Sequence, residues 1–158
     1  MKIMALDAST KSTGISLWAN GELVAYKLIR TPLKNMDDRF KDMCILLLRS
    51  LDSWSPDEVF LEETVVARNV QVQRFLTRLQ GVVYCWCIQN DKKFNTIRPT
   101  VWRKAVGIKQ GKKKRDELKQ DAISLVNNEL NIIDVNDDVA ESICIGLAAL
   151  SLFEEKEN

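Results

Sequence analysis

The chain has 158 residues, 46% of them apolar, and a formal net charge of +1. That length fits one domain with a real core, and that apolar content excludes a disordered chain. The apolar runs are too short and too interrupted to span a bilayer, so no membrane role is expected.

Asp7 comes too early for a secretory leader, which makes a cytoplasmic location the expectation. The four cysteines (Cys44, Cys85, Cys87 and Cys144) sit in apolar segments, as reduced, buried thiols do. Histidine is absent. Its absence removes Ser-His-Asp and Cys-His catalysis, histidine general bases and histidine metal ligands. Any hydrolysis must then rest on carboxylates, lysine or metal-activated water. The near-zero net charge hides an asymmetry. Residues 98–120 hold nine Lys/Arg against two acids, and residues 121–158 hold nine acids against one lysine. Such a layout serves either a polyanion and a cation held side by side, or a solvated basic loop followed by an acidic tail.

In chain order, residues 3–7 read as a buried strand ending in Asp7. Residues 8–14 are small and polar, hence a turn. Residues 15–18 and 23–29 are strands, joined by the hairpin signal Asn20-Gly21. Apolar spacing from Phe40 to Leu51 predicts a helix over 37–51. Residues 58–62 form a short strand that also ends in an acid, Glu62, and a parallel crossover onto the first strand is the natural topology. If the two strands are neighbours, their carboxylates meet. Asn69 caps a helix over 70–89. That helix is apolar over more than one stripe, as either a central core helix or a core helix with a partner face would be. A fifth strand over 94–97 follows, then a helical turn from Pro99, an exposed basic loop over 107–115, a helix over 113–130 and a last helix over 137–153. The pattern is α/β, most simply a five-stranded sheet with helices on both faces.

On the last helix, Asp138 and Glu141 are three apart and share a face. Acids in a first helical turn complement the helix dipole, which accounts for Asp137 and Asp138 but less well for Glu141. If Asp7 and Glu62 lie at adjacent strand ends, four oxygen donors could converge, a set that suits Mg²⁺ or Mn²⁺.

The hairpin after Asp7, the stretch 61–69 (LEETVVARN), the stretch 101–108 (VWRKAVGI) and Asp138-Val139-Ala140-Glu141 together resemble the RuvC family of Holliday-junction resolvases. The resemblance runs nearly end to end, and the small size is that of a phage-type member. It implies a ribonuclease-H-like fold, a homodimer, and metal-dependent cutting of four-way DNA junctions by two-metal hydrolysis of phosphodiesters. It places the catalytic and metal-binding acids at Asp7, Glu62, Asp138 and Glu141, with two Mg²⁺ ions per site and Mn²⁺ as a substitute. It places phosphate contacts at Arg68, Arg103, Lys104, Lys109, Lys112, Lys113, Lys114 and Arg115. It favours the partner-face reading of the helix over 70–89, with Val72, Phe75, Leu76, Leu79 and Val83 as contacts. Three departures stand out. Ala8-Ser9 follows Asp7 where the family often has Pro-Gly. Val65 falls where bacterial members carry an aromatic that stacks on DNA bases. Trp102 falls where the family usually has a supporting lysine, with Lys104 and Lys113 as substitutes. They predict relaxed cutting of several branched DNAs, forks included. The rival readings are a YqgF-like RNA-processing nuclease and a branched-DNA binding protein without catalysis.

Overall fold

The computed structural model describes residues 1–64 and 69–157, with side chains to residue 152. Five strands, β1 (Lys2–Ala8), β2 (Ser12–Ala19), β3 (Glu22–Arg30), β4 (Glu58–Glu62) and β5 (Lys93–Ile97), form one sheet in the order β3-β2-β1-β4-β5. β1 pairs antiparallel with β2 and parallel with β4, and β4 pairs parallel with β5. Asn20 and Gly21 both take positive φ, as a two-residue hairpin turn requires.

Alternation along β1 splits the core in two. Met4 and Leu6 face a layer made by α1 (Met36–Trp54) and α2 (Val70–Gln89). Ile3 and Ala5 face a layer made by α3 (Pro99–Ala105), α4 (Arg115–Leu130) and α5 (Asp137–Glu157). Asn35 caps α1 by accepting from the backbone N–H groups of Asp37 and Asp38, at 2.9 and 3.1 Å. Ser55, in the left-handed conformation, ends it. Among the described residues, no helix is long and apolar enough to cross a membrane.

The seat of α5 on β2 positions the site. Gly14, Ser16 and Trp18 lie on one face of β2. Asp138, Ser142 and Gly146 repeat every fourth residue along α5. Two strand residues advance about 6.6 Å and four helix residues about 6 Å, so the two rows stay in step. Ser16 donates to the Ser142 carbonyl at 2.8 Å, and the Trp18 indole donates to Ser16 at 3.2 Å. A Cβ on Gly14 would stand 1.9 Å from the Asp138 carbonyl oxygen, and one on Gly146 would stand 1.9 Å from the Trp18 indole nitrogen. Residues 12–14 are therefore strand and not turn. Ser12 and Gly14 are small because the start of α5 rests on them, while Thr13 faces the other layer and donates to Met43 Sδ at 3.4 Å.

The structure corrects part of the partner-face reading of α2. Phe75, Leu79 and Val83 are buried in the protomer's own core, with Phe75 edge-on to Phe40 at 5.3 Å. Those three side chains are taken up by internal packing, because α2 must cover the sheet. Val72 and Leu76 are half-buried. The open face of α2 carries Thr77, Gly81, Tyr84, Cys85 and Ile88.

Candidate active site

The parallel register of β1 and β4 pairs Leu6 with Leu61. Asp7 and Glu62 therefore follow side by side at the strand ends. By the two-residue period they point to the same side of the sheet as Ala5 and Phe60, the side covered by α5. Asn136 caps α5, accepting from the Asp138 N–H at 2.9 Å. The first turn then lies against Gly14, opposite Asp7 in the β1–β2 register. Carboxylate oxygens of Asp7, Asp138 and Glu141 lie within 4.8 Å of one another. Glu62 flanks this triad, close enough that its charge acts on Asp7 and that of Glu141 acts on it.

The electrostatics follow from crowding. Burial, followed by the charges of Glu62, Glu141 and Asp138, holds the Asp7 carboxyl well above the usual carboxylate range. Asp7 and Glu141 share a hydrogen bond in that state. Burial also raises Glu62, opposed by the hydrogen bond from Trp102 and the charges of Arg103 and Arg115. The acids of the cluster outnumber the cations packed against it, Arg103 and Lys119, so the site keeps surplus negative charge. The available donors are oxygens, since burial and then the Glu141 charge push the nearby Cys144 thiol up to about 12. Oxygen-only donors with surplus negative charge fit a hard divalent cation.

Some of the polar partners were not anticipated from the sequence. Ser12 donates to Asp138, and Lys119 pairs with Asp137 and lies 4.0 Å from Asp138. Burial alone would lower the Lys119 pKa, but the Asp137 hydrogen bond and the surrounding carboxylates raise it. Asp137 is thus tied to α4, and the helix cap is Asn136. Lys119 belongs to the basic segment, but its partner lies 18 residues away across the α4–α5 pair, where no local pattern reveals it. Trp102 is fully buried and donates to Glu62 Oε2 at 2.7 Å. Arg103 pairs with Glu141 at 3.3 Å and stacks over the Trp102 ring at 4.8 Å.

The remaining basic residues lie where the sequence put them, on the surface. Lys104, Lys109, Lys112, Lys113, Lys114 and Arg115 are exposed. Lys113 pairs with Asp121 at 2.5 Å, and Gln110 donates to the Thr100 carbonyl at 3.0 Å, stitching the loop to α3. Arg68 and Val65 lie outside the described residues.

The family model for the crossover junction endodeoxyribonuclease RuvC matches residues 3–147. The chain belongs to the RuvC family. It has the family's nuclease assignment, that of a Holliday-junction-resolving endonuclease, with an acidic cluster suited to metal. No curated protein matches it significantly. Among solved structures, RuvC from Thermus thermophilus is similar at 16% identity, with a TM-score of 0.76 and coverage of 99% of this chain and 97% of that one. The same protein in complex with a Holliday junction substrate gives 15% identity and a TM-score of 0.73, covering 94% and 92%. The Fowlpox virus resolvase in complex with Holliday junction DNA gives 17% and 0.69, covering 97% and 99%. These likenesses bear out the RuvC-type, ribonuclease-H-like sheet expected from the sequence.

Proposed function

We propose that this RuvC-family chain cuts four-way junctions and other branched DNA, forks included, as a homodimer with two divalent cations per site. Mg²⁺ is the working ion, and Mn²⁺ substitutes for it. The observation that carries the reading is the meeting of Asp7, Asp138 and Glu141 within 4.8 Å, beside Glu62 at the neighbouring strand end. These four acids hold the ions. Bound there, the ions lend Lewis acidity to the scissile phosphate and acidify water for attack. Ser12 and Lys119 orient Asp138. The exposed band from Lys104 to Arg115 grips the phosphate backbone as point charges, which positions DNA without reading its sequence. The open face of α2, with Gly81 at its centre and Tyr84 and Ile88 beside it, is the surface for the second protomer. It takes over that role from the inward-facing Phe75, Leu79 and Val83.

The separation of cutting from gripping is testable. Asp7→Asn and Glu62→Gln are expected to bring Mg²⁺-dependent cleavage of a four-way junction below detection. Junction affinity in a gel-shift assay with EDTA stays near wild type or improves. Retained cutting in either variant removes that residue from the site.

A further inference from the structure

Trp102 and Arg103 are consecutive residues of α3, yet each holds a different glutamate of the cluster by a different kind of bond. Trp102 gives Glu62 a neutral indole N–H. A neutral donor on Oε2 leaves the charge of the carboxylate in place and its other oxygen available. Arg103 gives Glu141 a full positive charge. The pair is buried, with side-chain exposures of 15% and 7%. The Arg103 Nε is buried without a hydrogen-bond partner among the described residues. A guanidinium is costly to bury with a donor unsatisfied, so this one is held mainly by the negative cluster and by the Trp102 ring beneath it. It supplies the positive charge that four crowded acids demand when no metal is bound.

We propose that the two residues act on metal loading with opposite sign. Trp102 is a positioning residue that fixes Glu62 as a ligand and stays in place throughout. Arg103 is a resident counter-cation that competes with the incoming ion for Glu141 and must let go when the ion arrives. The proposal rests on reading the acids as a metal centre, but it concerns how this chain fills and empties that centre. The contrast follows from charge. A neutral donor and a divalent cation can share the cluster, whereas two cations on Glu141 repel each other and crowd one carboxylate.

The test is calorimetric titration of DNA-free protein with Mn²⁺ alone. Arg103→Gln is expected to bind Mn²⁺ about fivefold tighter or more, the low end of coupling between two exclusive ligands. Replacement of Trp102 by benzothienylalanine keeps the shape of the indole and puts sulfur in place of the N–H. It is expected to bind Mn²⁺ about tenfold weaker, the usual loss when a ligand's orienting partner is removed. Unchanged or weaker binding in Arg103→Gln, or unchanged binding in the benzothienyl protein, overturns the proposal. A second measurement needs no Arg103 variant. Mg²⁺ added to wild-type protein should change the tryptophan emission as the guanidinium leaves the ring, and Trp102→Phe should lose that change. A wild-type emission that ignores saturating Mg²⁺ overturns the release step. Wild-type protein that binds Mn²⁺ no better than Asp7→Asn takes down the metal-centre reading itself, and this proposal with it.

Discussion

The acid cluster and the basic band lie close together in the fold but are built on opposite terms. The acids come from three elements far apart in sequence, and the core brings them together. Asp7 and Glu62 are set by the β1–β4 register, and Asp138 and Glu141 by the seat of α5 on Gly14. They are partly or fully buried, and each of the four has a polar partner. The cations of the band come from one stretch, are mostly exposed, and need no tertiary packing to gather. A buried, preassembled cluster serves chemistry that needs fixed distances. An exposed array of flexible charges serves a polymer whose phosphates sit at many angles. The two regions should therefore fail differently: the cluster steeply to small shifts of geometry, the band gradually as charges are removed.

Beyond removal of the acids themselves, the largest expected contrast comes from Gly14→Ala, which changes no charge. The added methyl collides with the Asp138 carbonyl and pushes the start of α5 away from Asp7. A shift of this size in reacting groups costs roughly a hundredfold in rate, and overpacking costs about 1–3 kcal/mol in stability. Single-turnover cleavage beside a gel-shift assay checks it, with junction affinity expected to change little. Equal losses in both would mean that the two regions are not separable.

An intermediate effect is expected from Lys112, Lys113 and Lys114 changed together to alanine. Binding weakens, and the slope of log K against log salt flattens by about 0.9 for each phosphate that is no longer neutralised. Cleavage at saturating protein should recover. An unaltered salt slope would mean that the band does not grip the DNA.

The smallest effect concerns pH. Asp7 and Glu62 are raised in the folded state, so the folded protein holds protons more tightly than the unfolded chain does. Without metal, these two groups therefore withdraw stability as pH rises from about 4, the unfolded carboxylate range, through the raised folded values, while Asp57 and Asp137, both lowered, act in the opposite direction. Thermal unfolding of wild type beside Asp7→Asn in EDTA should isolate the Asp7 share, with wild type losing stability relative to the variant as pH rises, and Mg²⁺ should counter that loss. A Tm difference between wild type and Asp7→Asn that does not change over the same range would contradict the crowding described for the cluster.

The same contrast explains what could be read in advance. The apolar run of β1, the Asn20-Gly21 turn and the strand endings at Asp7 and Glu62 are local signals, and they carry the opening hairpin and the pairing of β1 with β4. The basic band is local too. Asp138 and Glu141 share a helix face by spacing alone, but spacing could not separate Asp138 from Asp137. The distinction comes from Lys119 on α4 and from Ser12 on β2. Residues 12–14 resemble a turn because the reason for the small size of Ser12 and Gly14, the start of α5, lies more than a hundred residues away. The apolar breadth of α2 indicates that more than one face is covered, but not by what. Phe75, Leu79 and Val83 proved to face the sheet. Trp102 and Arg103 show the limit most clearly, since nothing in their spacing indicates that neighbours on one turn would hold two different glutamates.

The central claim is that this cluster cuts branched DNA with a divalent ion. It is tested most directly by one cleavage panel: purified protein with Mg²⁺ against four-way, three-way, forked and linear DNA, with a structured RNA beside them. The account predicts cutting of the four-way, three-way and forked DNAs, little of linear duplex, none of RNA, and none at all in EDTA. Cleavage confined to RNA, or cutting that persists in EDTA, would contradict it.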